Sequence, residues 1–139
     1  MTVVTERIEL RTQGEVQVLD VTDRVRAAVA ASGLRDGIAC VFNPGSTGAM
    51  TTIEYEPGLV ADLPAALERL FPKGIPYRHD VTWHDGNGHS HVRASMIGPG
   101  ITVPFVDGAL TLGTWQQIVF VELDNKSHHR SLVVQMVGD

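Results

Sequence analysis

The chain has 139 residues, 43% of them apolar and 19% charged, which is the size and balance of one globular domain. Eleven Lys and Arg stand against sixteen Asp and Glu, a formal charge of -5. This excludes a disordered or collagen-like chain and disfavours duplex DNA or an anionic membrane as partner, so no nucleic acid and no membrane are expected.

Val4, Glu6, Ile8 and Leu10 alternate with polar neighbours and predict a half-exposed strand. Gly14 marks a turn before a second strand over residues 16–21, so an N-terminal hairpin is expected. Thr22 is placed to cap a helix carrying Val25, Ala28 and Val29, and Gly33 supplies its stop. Asp36-Gly37 turns into a strand over 38–42, in which Cys40 reads as a small core residue. Cys40 is the sole cysteine, so no intrachain disulfide can form. The loop Pro44-Gly45-Ser46-Thr47-Gly48 leads to a strand over 50–55.

Leu59, Leu63, Leu67 and Leu70 recur at helical spacing. Pro64 either opens a second helical piece capped by Asp62 or kinks one longer helix, and Pro72 ends the segment. Residues 77–91 are polar and rich in histidine. Asn87 and Gly98 bracket a helix over 88–97, preferred to a strand because both end signals are present. Strands over 102–106 and 110–112 flank the turn pair Asp107-Gly108. An apolar strand over 117–123 turns back at residues 124–127 into a last strand over 131–137. The pattern predicts an α+β fold, one domain over 1–139, a mostly antiparallel sheet with helices packed on one side. No apolar run reaches the roughly 18 residues of a bilayer span, and the start lacks the layout of a signal peptide. A soluble, cytoplasmic protein is expected.

Chemistry concentrates in the middle of the chain. His79, His84, His89 and His91 fall close together among Asp80, Asp85 and Asn87. Imidazole and carboxylate hold divalent ions such as zinc, or move protons. On a strand His89 and His91 would share a face; on a helix they would point nearly opposite ways. The N–H groups of a helix beginning at Gly88 would attract a phosphate, with Arg93 adding charge; alternatively Asp85 or Asn87 simply caps that helix. The loop of Ser46, Thr47 and Gly48 is able to wrap a phosphate, or is an ordinary turn. Glu54 ends a strand and offers a ligand or base. Trp115 offers a ring to stack on, or packs in the core, with Gln116 beside it to read heteroatoms. His128-His129-Arg130 reads as an exposed turn, with Arg130 able to pair with a phosphate.

Several stretches carry a family resemblance. They are Ser46-Thr47-Gly48-Ala49-Met50-Thr51 with Glu54, Tyr77-Arg78-His79, the run from His84 to Ser95, and Asp107 to Gln116 with its Leu-Gly-Thr-Trp-Gln ending. In this order they resemble the YjbQ-like family, whose members are described as secondary thiamine-phosphate synthases. The resemblance implies a compact α+β domain, a homotrimer with sites near subunit contacts, weak thiamine-phosphate synthase activity and, in some members, a divalent metal (zinc or magnesium here). By position it assigns site roles to Glu54, His79, Asp85, Asn87, His91, Trp115, Gln116 and Arg130. Gly45 stands where many members carry a histidine, and His89 where many carry a small residue.

The expected function is a transferase that joins a pyrimidine-methyl diphosphate to a thiazole phosphate and releases pyrophosphate. Catalytic work is expected of His79, Asp85, His91 and Glu54. Substrate contacts are expected from Ser46, Thr47, Gly48, Asn87, Gly88, Arg93, Trp115, Gln116 and Arg130, and metal ligation from His79, His89 and His91. The alternatives are a trimer that binds a metal or a small phosphorylated metabolite with incidental activity, and a metal-assisted hydrolase.

Overall fold

The computed structural model describes residues 1–139. The elements run β1 (Thr2–Arg11), β2 (Gln17–Asp20), α1 (Thr22–Ser32), β3 (Gly37–Phe42), β4 (Gly48–Ile53), α2 (Pro57–Leu70), α3 (Arg78–Trp83), α4 (Gly88–Ile97), β5 (Gly100–Val106), β6 (Ala109–Leu110), β7 (Gln117–Glu122) and β8 (His129–Gly138). The fold is α+β, and its strands form two antiparallel sheets. One has the order β1-β8-β3-β5-β6 and the other β2-β7-β4.

The two sheets share one apolar core. Val41, Val134, Met136, Leu132 and Phe105 from the large sheet meet Met50, Ile118 and Phe120 from the small one, and Val25 and Val29 of α1 fill the same cluster. The other face of the small sheet carries Val18, Ala49, Val119 and Val121, which are covered by Leu67 of α2 and Ala94 of α4. Strand β7 is thus buried on both faces, which is why residues 118–123 read as an unbroken apolar run apart from Glu122. The helices therefore do not all lie on one side: α1 belongs to the shared core, and α2 and α4 to the outer layer.

The expected N-terminal hairpin does not form. β1 pairs with β8 along its whole length, from Thr2 opposite Gly138 to Arg11 opposite His129, whereas β2 pairs with β7 in the other sheet. Ten matched residues on β8 offer a longer ladder than the four-residue β2 could. β7 and β8 are likewise joined by a crossing between sheets rather than by a hairpin. The Asp107-Gly108 turn is the expected two-residue hairpin, with both residues at positive φ (52° and 77°).

Several local expectations shift. Thr22 is the first helical residue of α1 rather than its cap; Asp20 Oδ1 accepts from the Thr22 amide and hydroxyl instead. α2 is one helix with Pro64 inside it. Its cap is Glu56, which accepts from the amides of Gly58 and Leu59, so Asp62 caps nothing. The short helix α3 was not expected, because six residues in a polar stretch leave no periodic apolar stripe. Cys40 is not a core residue. Ala39 and Val41 point inward, while Ile38, Cys40 and Phe42 lie on the outward face of β3. No helix is long and apolar enough to cross a membrane.

Candidate functional site

The α3–α4 corner positions the histidines. His84 and Gly86 take left-handed backbone (φ 58° and 68°), which folds α4 back along α3. Gly88 lies so close to Tyr77 that a Cβ there would sit 2.4 Å from the tyrosine Cβ. This contact sets the His79 ring against the His91 ring, with centroids 4.2 Å apart.

From that pair a chain of hydrogen bonds runs into the core. His79 Nε2 lies 3.0 Å from Asn87 Oδ1 and 3.3 Å from Asp85 Oδ1. Asn87 Nδ2 donates to Asp124 Oδ1 at 3.2 Å, which fixes the amide so that its oxygen faces His79. Both partners of His79 Nε2 are acceptors, so that nitrogen carries a proton and donates toward them. Asp124 Oδ2 also accepts from His128 Nε2 at 2.6 Å and from the Thr47 hydroxyl at 3.1 Å. Thr47 Oγ1 in turn accepts from Arg130 Nη2 at 2.9 Å. Arg130 grips Glu122 through Nε (2.9 Å) and Nη2 (2.6 Å), and Glu122 accepts from the Thr12 hydroxyl at 2.6 Å. Glu122 is wholly buried, and Thr12, Thr47, Asn87, Asp124 and Arg130 are each under 9% exposed.

The charges follow from these contacts. Burial works to raise the Asp124 pKa, but bonds from His128, Asn87, the Asn125 amide and Thr47 outweigh it and hold the carboxyl below its ordinary value. Burial, helped by the facing His79, lowers the His91 pKa against the pull of Asp124, Asp85 and Asp80. His91 is therefore neutral at pH 7, with a lone pair available for a proton.

The structure gathers His79, Asp85, Asn87 and His91, and it adds Thr47 and Arg130 through Asp124 and Glu122. Other expected members lie elsewhere. His89, two residues before His91 on a helix, points to the opposite side, where it meets Glu15 at 2.6 Å; Glu15 is also paired with Lys73. Arg93 is buried and tied to the Phe71 carbonyl and Glu68, so its guanidinium anchors α4 to the end of α2 rather than facing an anion. The Gly88 amide donates to Asp80 Oδ1 at 2.9 Å. A carboxylate of α3 thus already holds the N-terminus of α4, and neither Asp85 nor the Asn87 side chain caps it. Gln117 and Glu122 mark opposite ends of β7, about 17 Å apart at strand rise. Trp115 (72% exposed), Gln116 and Glu54 lie at the Gln117 end, remote from the histidines within one chain. Nor is 128–130 an exposed turn. Only His129 stays outside, against Glu9, while His128 and Arg130 turn inward.

A divalent ion needs three or four nitrogen or oxygen donors converging on one point. No group of three His, Cys, Asp or Glu side chains does so here. His79 Nε2 carries its proton toward Asn87, and His89 has turned away. The residues of one chain do not fit the expected zinc or magnesium site.

Sequence reasoning missed Thr12, Glu122, Asp124 and His128. The available signal was Glu122 itself, a carboxylate between Val121 and Leu123 in an apolar run, which requires a buried counter-charge.

Two packed antiparallel sheets carrying a buried polar chain that surfaces at paired histidines define the kind of protein. The family model described as "UPF0047 protein YjbQ-like" matches residues 6–139, and the chain belongs to that family. It is 39% identical over 130 residues to a UPF0047 protein of Methanothermobacter thermautotrophicus, spanning 94% of this chain and 90% of the relative. It is 37% identical over 126 residues to one from Archaeoglobus fulgidus, covering 91% and 96%. Among solved structures, a YbjQ-like protein of unknown function from Sulfolobus solfataricus P2 superposes with a TM-score of 0.89 at 28% identity, covering 99% and 100% of the two chains. A YjbQ/UPF0047 family protein from Clostridium acetobutylicum gives 0.87 at 34% identity, covering 95% and 99%.

Proposed function

We propose that the protein is a transferase of the thiamine-phosphate synthase type, acting on small phosphorylated metabolites. The observation that carries this reading is the polar chain linking the His79–His91 pair to Arg130 beside the Ser46–Gly48 loop. In the reaction the thiazole nitrogen attacks the pyrimidine methylene, a C–N bond forms, the C–O bond to the diphosphate breaks, and pyrophosphate leaves. Negative charge builds on the departing oxygen, so fixed donors near it lower the barrier. Ser46, Thr47, Gly48 and Arg130 supply the phosphate side. His91, neutral at pH 7, and His79, with its tautomer set through Asn87 and Asp124, supply acid and base. Asp124, Asn87 and Glu122 are positioning residues. The expected metal has no ligand set within one chain, and no step here depends on it.

The same proposal takes the protein as a cytoplasmic homotrimer. Support for assembly is the outward face of the large sheet, where Ile38, Cys40, Phe42, Val133 and Val137 line a hollow of about 300 Å³. A partner's Trp115 and Gln116 would then be available to a neighbouring site. This face also suits the second reading, a metabolite-binding trimer without turnover.

Purified protein is incubated with the pyrimidine diphosphate and thiazole phosphate, and thiamine phosphate is followed by chromatography. The proposal expects product that falls at least tenfold in His91→Ala and His79→Ala. Product unchanged in both variants would overturn it, ligand binding without product would leave the binding reading, and phosphate release from unrelated esters would favour a hydrolase. A sedimentation mass equal to one chain would reject the trimer.

A further inference from the structure

Beside Arg130 the 43–48 segment holds donors that nothing in the protein uses. Arg130 spends Nε and Nη2 on Glu122 and Thr47, while Nη1 makes no hydrogen bond. Asn43, only 1% exposed, has an amide nitrogen without a partner, and so does the hydroxyl of wholly buried Ser90. A buried donor left unpaired costs about 1–3 kcal/mol, so the arrangement calls for an acceptor.

Two of these donors, Arg130 Nη1 and Asn43 Nδ2, meet at one place. A Cβ built on Gly45 would lie 3.2 Å from Arg130 Nη1 and 3.4 Å from Asn43 Nδ2; one built on Gly48 would lie 3.0 Å from the same Nδ2 but would strike the Phe120 ring at 2.5 Å. Gly45 and Gly48, with Ser46, Ala94, Ser95 and Pro99, line a cavity of about 130 Å³ between the loop and α4. Ser90 precedes Ala94 by one turn and shares its face of the helix. The amides of Ser46 and Thr47 also donate to no protein group. No carboxylate lines the cavity, and Glu122 sits on the far edge of the guanidinium, gripped by Nε and Nη2.

We infer that this cavity is an oxyanion site that takes the terminal phosphate of a phosphomonoester, with Asn43 Nδ2 and Arg130 Nη1, which lie behind the Gly45 wall, as donors and Ser46 on the cavity lining. The absent side chain of Gly45 leaves the room that the phosphate oxygens occupy, whereas the Phe120 ring already fills the space beside Gly48. The assignment differs from the expected anion site at the start of α4, which Asp80 already fills. It also adds Asn43, to which no role had been given. It rests on reading this cleft as the substrate side of the proposed transferase, yet it requires binding only.

Calorimetric titration of the whole protein with inorganic phosphate, and separately with phenyl phosphate, tests it. The expected result is saturable binding of one anion per chain, with phenyl phosphate within tenfold of phosphate because the cavity opens to solvent. Gly45→Ala, whose added methyl fills the space beside Nη1 without removing a donor, should weaken both at least tenfold while melting like the parent. Asn43→Asp, which replaces the amide nitrogen by a charged oxygen, should abolish both. If that variant fails to fold, Gly45→Ala still decides. Phosphate binding that is unsaturable, or unchanged in Gly45→Ala, overturns the assignment, and phenyl phosphate weaker by more than tenfold overturns its ester form. Phosphate binding that is lost in Gly45→Ala, from a parent protein that makes no thiamine phosphate, would sink the proposed reaction and leave the site standing.

Discussion

Replacing Arg130 by methionine tests the buried end of the polar chain. The guanidinium makes two bonds to Glu122 and one to Thr47, and it lies 5.7 Å from the centre of the Phe120 ring. Methionine keeps most of the packing volume and removes the charge. Glu122, wholly buried, then keeps only the Thr12 hydroxyl and the Asp124 amide. Breaking a buried ion pair from one side costs about 3–5 kcal/mol, because the remaining charge is left uncompensated. Against a domain stability of about 5–15 kcal/mol, that is a large fraction. At roughly 3 °C per kcal/mol for a chain of this size, Tm should fall by about 9–15 °C. The double variant Arg130→Met/Glu122→Leu removes both charges and should recover most of the loss. Urea unfolding of the parent, both single variants and the double variant closes the cycle. A loss below about 1 kcal/mol in Arg130→Met, or a double variant as unstable as the sum of the singles, would refute the reasoning.

Other outcomes follow from the same contacts. His91 has a folded pKa below its unfolded value, so the unfolded chain takes up the proton first. Its contribution is intact above the unfolded pKa of about 6.5 and is lost as pH falls through the folded value. His91→Gln should flatten that part of the stability–pH curve, and urea midpoints between pH 5 and 8 that keep the parent's slope would contradict it. Asp124 has a lowered pKa, so its stabilisation is present above about 3.8 and is lost as pH falls through the folded value. Asp124→Asn should therefore weaken the acid-side loss of stability, read from urea midpoints between about pH 3 and 6; an acid limb as steep as the parent's would contradict it. Gly88→Ala would press a methyl onto Tyr77 and should cost about 1–3 kcal/mol by overpacking, checked by urea unfolding.

Much of the scaffold could be read from local signals. The α4 boundaries were legible because Asn87 and Gly98 bracket the helix, and the Asp107-Gly108 hairpin because only certain residues accept two successive positive φ values. The partners of β1 and β2 were not legible. Each pairs with a strand about a hundred residues away, and alternation of side chains says which face is buried, not which strand lies alongside. The site divides in the same way. Helical geometry already separates His89 from His91, and the choice of helix for 88–97 carried that consequence. Arg93 and Arg130 look alike in sequence, yet one is tied to a carbonyl and the other to a buried carboxylate, because their neighbours come from the end of α2 and from β7. Asn43 and Asp124 gave no signal at all, since an Asn or Asp beside a turn is usually a turn residue.

The most direct measurement is a crystal structure of the protein soaked with the thiazole phosphate. The account predicts phosphate density within hydrogen-bond distance of Arg130 Nη1 and Asn43 Nδ2, with the thiazole ring directed toward His79 and His91. Density instead in the cleft beside Thr52 and Gln116, with the Gly45–Gly48 cavity holding only water, would contradict it.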